Sequence, residues 1–209
     1  MADTPTQRRT PSRRGGGEAL RTEIIEAASA LLAETGDVAS MSLRAVARAV
    51  GIATTSIYLH FADLDELILA VKLKRFAELT ECLDAAVAGA GGDPVEQVRA
   101  IGHGYVTFGL ANPGHYRVMF SASTKGTILG PNGMTIGLEA FNSLVTVVSA
   151  ALDRPPLDRE VEIVSTNLWN FVHGIVHLRT ARSTFHWPDL RAQVDDMIDR
   201  TFGLRSASQ

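Results

Sequence analysis

Residues able to do chemistry are sparse in this chain, and their spacing narrows what they could do. His173 and His177 stand one helical turn apart and would share a helix face. That spacing can hold a metal ion. However, Gly174 takes the place of the glutamate in the metalloprotease helix motif, and no carboxylate adjoins the pair. The alternative for each is a hydrogen-bonded histidine in a core or pocket. No GxSxG elbow, phosphate-cradling glycine loop or cysteine–histidine cluster is present, and no nucleophile is spaced to meet a base. The pattern points away from an enzyme, and it implies no metal and no cofactor. The one cysteine, Cys82, allows no internal disulfide and fits a reducing cytoplasm.

A second set of residues could read a polyanion. The segment SLRAVARAVGIATTSIYLHF, Ser42 to Phe61, has Ala47, Gly51 and Ile57 at the spacing of a helix-turn-helix. Ala47 is small enough for two helices to cross closely. Gly51 permits the tight turn. Ile57, with Val46, Val50 and Ile52, fills the wedge between the helices. The second helix then turns Thr54, Thr55 and Ser56 outward, where hydroxyls can meet base edges or phosphate oxygens. Tyr58 and His60 can add backbone contacts, and Arg44 can pair with phosphate. The spacing alone also fits an ordinary helical hairpin in a core.

A third set could line a small-molecule pocket. His103, Tyr105, Phe108, Tyr116, Met119, Trp169 and His173 are mostly apolar with a few polar tips, the usual make-up of such a site. Each alone fits a core position equally well.

The elements that would position these residues are all helices. Leu20, Ile24, Ala28, Leu31 and Leu32 give a helix over 18–35. Ser42 caps a short helix stopped by Gly51, and another runs from about Ala53 to Leu59. Asp63 caps a long helix that fades at Gly89 to Gly92. Asp93-Pro94 opens a helix to about Ala111, which Asn112-Pro113-Gly114 breaks. A short segment from His115 to Phe120 follows, then a loop over 121–132. Helices are expected over about 133–152, 157–182 and 187–203. The last carries an apolar stripe of Leu190, Val194, Met197, Ile198 and Phe202, open to two readings: dimer contact or core within the subunit. No alternating β pattern competes, so the fold class is all-α.

The N-terminal third resembles the TetR family of bacterial repressors. The resemblance rests on the helix at 18–35, the helix-turn-helix, and Tyr58-Leu59-His60-Phe61 directly before an acidic helix start. It implies that Ser42, Arg44, Thr54, Thr55, Ser56, Tyr58 and His60 face double-stranded DNA, with Phe61 locking the recognition helix onto the next. Two departures stand out. The family's usual lysine at the start of the fourth helix is Leu64 here, and a usual glycine early in the recognition helix is Thr55. The missing lysine should remove about one phosphate contact per subunit and flatten the salt dependence of binding. Farther on, LWNFVHG around Trp169, His173 and Gly174, with NPGHYRVMF from Asn112, resembles a C-terminal class named for its Trp-His-Gly residues. A glycine inside a helix costs about 1 kcal/mol against alanine, so close packing on another helix would explain Gly174.

The resemblance implies a three-helix DNA-binding domain over 18–64, and a helical ligand-binding and dimerisation domain over 65–205. It implies a homodimer whose last two helices pair with their copies, releasing a palindromic operator when an unknown small molecule binds. Residues 1–17 hold four arginines against one acid. They read either as a solvated leader or as a basic arm for DNA. The net charge of −3 would itself disfavour nucleic acid. The only full charges from Val38 to Phe61, Arg44 and Arg48, are positive, which leaves that end locally basic. No apolar run is long enough to span a membrane, and none follows the arginines as a secretory signal would require.

Overall fold

The computed structural model describes residues 16–121 and 136–204, whose regular elements are all helices with no strand among them. The helices are α1 (Gly16–Thr35), α2 (Leu43–Val50), α3 (Thr54–Ile57), α4 (Leu64–Gly89), α5 (Pro94–Ala111), α6 (Pro113–Met119), α7 (Leu138–Leu152), α8 (Arg159–Ala181) and α9 (Leu190–Thr201). A short 3-10 turn, Val38–Ser40, joins α1 to α2. The arginine-bearing residues 1–15 and most of the loop expected over 121–132 lie outside the described residues.

Local chemistry sets most boundaries. The side chains of Ser42, Asp63, Asp93, Asp158 and Asp189 each accept a hydrogen bond from a backbone N–H in the first turn of the helix they cap. At α4 the cap is reciprocal in spirit: Glu66 Nα donates to Asp63, while the Glu66 carboxylate accepts from the N–H of Ala62. Gly51 closes α2 at φ 77°, a left-handed conformation that a side chain would oppose.

Two buried clusters result. The first gathers Ile24, Ala28 and Leu32 of α1 with Val46 and Ala47 of α2, Ile57, Phe61, Leu67, Ile68 and Val71. Val118 of α6 completes it. The second lies among α4 to α9 and includes Leu79, Leu83, Ile101, Tyr105, Leu144, Val148, Leu168 and Val176. Helix α4 serves both, its first turns in one cluster and its middle in the other. Val194 and Ile198 of α9 are fully buried in the second cluster, with Leu190, Met197 and Phe202 packed against it. The apolar stripe of α9 is therefore core within the subunit, against the dimer contact that the family resemblance favours for it. Gly102 of α5 makes room for it: a Cβ there would stand 3.0 Å from Val194.

Candidate DNA-binding head and effector cavity

In the head, Ile57 and Phe61 are sealed in the core while the residues between and before them face outward. Arg44, Arg48, Ser42 and Thr55 are exposed, and Thr54, Ser56 and His60 are half-buried. Tyr58 is 57% exposed and its neighbour Leu59 81%. The hydroxyl of Ser42 already accepts a hydrogen bond from Ala45 N–H, so this residue positions α2 as well as facing outward. Helix α3 is shorter than the seven residues expected over 53–59. Beyond Ile57 the chain tightens: His60 N–H bonds back to Ile57 O at 2.9 Å, a turn of the 3-10 type, and Phe61 N–H bonds to the same oxygen. The tightening plants Phe61 in the core, where the Arg21 guanidinium lies 4.9 Å over its ring.

In the body, a cavity of about 530 Å³ opens between α4, α5, α7, α8 and α9. That volume suits a drug-sized molecule. One face of α4 runs along it: Asp65, Ile68, Leu69, Lys72, Phe76, Leu79 and Leu83. Met119, Phe120 and Ser121 wall it at the end of α6, and Val38 walls it from the head.

Of the residues expected in a pocket, Tyr105, Met119 and Trp169 stand in this wall. The other four do not. His103 points to α9, its Nε2 2.7 Å from Asp195 Oδ1, in a network with Arg99. Burial would raise the Asp195 carboxyl, but the hydrogen bonds from His103 and Arg99 outweigh that and hold it below the usual carboxylate range. Phe108 packs against the core. Tyr116 and His173 form a polar chain behind the wall. Tyr105 Oη lies 3.0 Å from Tyr116 Oη, which lies 2.7 Å from His173 Nδ1. Burial, then the Tyr105 hydroxyl, push the Tyr116 phenol far above its ordinary value, while burial, then His177, push His173 below its own. Tyr116 thus stays a phenol hydrogen-bonded to a neutral imidazole, tying α5, α6 and α8 together. His177 is exposed and stacks on the His173 ring.

Two family models match the chain. That of the bacterial regulatory proteins of the tetR family covers residues 24–71, and that of the tetracyclin repressor-like C-terminal domain covers residues 98–201. The chain belongs to the TetR family. It is a TetR-family transcription regulator. Its fold is shared with a protein of unknown function from Rhodococcus sp. RHA1, at 23% identity and TM-score 0.74 over 93% of this chain and 98% of that one. A TetR-family regulator from Marinobacter aquaeolei VT8 matches at 17% identity and TM-score 0.60, over 91% of this chain and 95% of that one. One from Streptomyces coelicolor matches at 18% and 0.62, over 88% and 98%. At such identities the likeness shows the fold.

Against the TetR pattern, Leu64 has an evident use. It is the first residue of α4 and packs on the head core, a place where a lysine could bring only its stem. The more telling residues are ones that sequence reasoning passed over. Gly114 read as a helix breaker, yet it is buried where α6 meets α1: a Cβ there would stand 1.9 Å from the Ala33 carbonyl oxygen. Beside it, His115 Nε2 lies 3.0 Å from the Ser29 carbonyl oxygen, to which it donates, and 3.0 Å from Ser29 Oγ. Arg75 of α4 donates to the same Oγ at 2.9 Å, and Arg117 donates to Thr35 O. Helices α1, α4 and α6 of this TetR-family chain are thus joined at one polar node.

The node carries a pH dependence. Burial, then the charge of Arg75, lower the His115 pKa from 6.5, with Lys74 adding to the fall and the Ser29 bond and Glu78 opposing it. A group depressed in the folded state lends stability that is present above its unfolded pKa and lost as pH falls through the folded one. The melting temperature should therefore drop as pH is lowered from about 7.5 to about 5.5. It should drop less in His115→Gln, which keeps a donor but cannot charge. Parallel pH profiles of the two proteins by calorimetry would refute the assignment.

Proposed function

We propose that this regulator is a homodimeric repressor that a small molecule releases from a palindromic operator, with no catalytic role. The observation that carries the reading is the double duty of α6. Its Gly114, His115 and Val118 hold the head, while Met119 and the following Phe120 and Ser121 wall the cavity. An occupant that fits better when α6 is displaced would draw the population toward heads mis-set for DNA. A tenfold loss of operator affinity needs only about 1.4 kcal/mol of such coupling. In this reading the DNA-binding part over 18–64 and the sensing part over 65–205 divide at the first turn of α4, whose Leu67, Ile68 and Val71 pack in the head core and link the two.

For the homodimer, the outer face of α8 supports the pairing surface better than α9 does. Ile163 and Leu178 are each about half exposed there, at 48% and 49%, and nothing among the described residues lies within 4 Å of a Cβ built on Gly174. The close packing expected at Gly174 is not supplied by the described residues of the subunit, and a partner's helix approaching this bare stretch would supply it. Among the described residues no helix is long and apolar enough to cross a membrane.

The test is selection of random duplex DNA by the purified protein at two salt concentrations. An enriched inverted repeat, with half-sites about 34–36 Å apart or somewhat more, is the expected result. Enrichment of no sequence by a folded protein would overturn the reading.

A further inference from the structure

Lys72 is out of place in the cavity wall. Its residue is only 7% exposed, and the wall around it is built chiefly of Ile, Leu, Val and Phe side chains. An ammonium carries three donors. The one hydrogen bond Lys72 makes among the described residues goes to the Ser121 carbonyl oxygen, at 2.7 Å, and none of their carboxylates pairs with it. A buried cation held by one neutral carbonyl is costly, and a structure that merely needed volume there would use methionine or leucine. The other charged residue of the wall, Asp65, sits two turns earlier on α4, about 10 Å along the helix axis.

We propose that Lys72 anchors the anionic headgroup of an effector whose remainder is apolar. The proposal rests on the reading of this cavity as the effector site and names the chemistry that it selects. One lysine neutralises one negative charge, so the headgroup is a monoanion of the carboxylate kind. A phosphate monoester, near two negative charges at neutral pH, would leave one of them buried without a partner. The apolar part of the molecule then runs along α4 past Phe76 and Leu79, toward Leu83, Val98 and Ile198. The burial that lowers the Lys72 pKa is relieved when a carboxylate arrives, because the pair replaces an isolated charge.

Calorimetric titration of the full chain with decanoate and with decanol tests this. Decanoate should bind the wild type at least tenfold more tightly than decanol. Lys72→Met, which keeps the volume, and Lys72→Gln, which keeps a donor for Ser121, should each erase that preference while leaving decanol affinity within about twofold. If decanol binds the wild type as well as decanoate does, or if both variants keep the preference, the role of Lys72 is overturned and the cavity reading stands. If neither probe binds folded wild-type protein, the cavity reading falls too.

Discussion

Gly114→Ala should lower the melting temperature of the chain by roughly 6–12 °C, the equivalent of about 3 kcal/mol in a protein of this length. A single added methyl group rarely does so much. Here it would stand 1.9 Å from the Ala33 carbonyl oxygen, with the Ala33 carbonyl carbon at 2.7 Å and Cα at 3.0 Å. All three are backbone atoms of α1, so no side-chain rotation relieves the clash. Either α6 lifts off α1, giving up the His115–Ser29 hydrogen bond and the burial of Val118, or the last turns of α1 give way. A second consequence separates this site from an ordinary core glycine. Lifting α6 mimics what an effector is proposed to do, so the variant that remains folded at low temperature should bind operator weakly whether or not effector is present. Gly102→Ala supplies the contrast. Its added methyl would also be crowded, at 3.0 Å, but against the Val194 side chain of α9 in the sensing part. That variant should lose stability while keeping operator binding in the cold. Equal operator affinity in both variants would sink the claim that α6 carries the signal.

The contrast also shows where sequence reasoning reaches its limit. Caps and breakers are local, and the helix starts at Ser42, Asp63 and Asp93 were legible because a side chain meets an N–H two or three residues away. The apolar face of α1 and the wedge residues of the helix-turn-helix were legible for the same reason. The helix break at Gly114 fell where expected, but its second use, the close approach to α1, was missed because it depends on a helix eighty residues earlier. In the one-dimensional pattern, Asn-Pro-Gly means only that a helix ends. His103 and His173 were placed in a pocket by residue type. Type cannot say which way round a buried helix faces: His103 found Asp195 and His173 found Tyr116. One usable signal was overlooked. Ile68, Lys72, Phe76 and Leu79 follow each other at helical spacing, and a lysine on an apolar stripe marks either a salt bridge or a site. The α9 stripe was ambiguous for a deeper reason. Apolar residues on one face predict burial, but the partner that buries them, the same chain or its copy, is not written in the periodicity.

The outward face of the head supports the other large effect. Replacing Arg44 and Tyr58 together by alanine should weaken operator binding at least a hundredfold while leaving the melting temperature within about 2 °C. Stability should hold because neither side chain is used inside the fold. Arg44 is exposed and forms no ion pair among the described residues, and Tyr58 keeps 57% of its surface open. Affinity should fall because the proposed dimer loses both groups twice. Removing four contacts at about 1 kcal/mol each, the low end of the usual range, costs about 4 kcal/mol and passes two decades. The salt dependence distinguishes the partners: losing Arg44 from each subunit should cut the slope of log affinity against log salt by about two, whereas Tyr58 alone should leave it unchanged. Leu59, 81% exposed beside it, supplies an internal comparison. An apolar side chain there can touch a thymine methyl but no phosphate, so Leu59→Ala should change which sequences are chosen more than how salt acts. Anisotropy titrations on the selected operator at several salt concentrations read all of these. If the double variant binds as the wild type does, the face carrying Arg44 and Tyr58 does not meet DNA, and the exposed residues of this head need another partner.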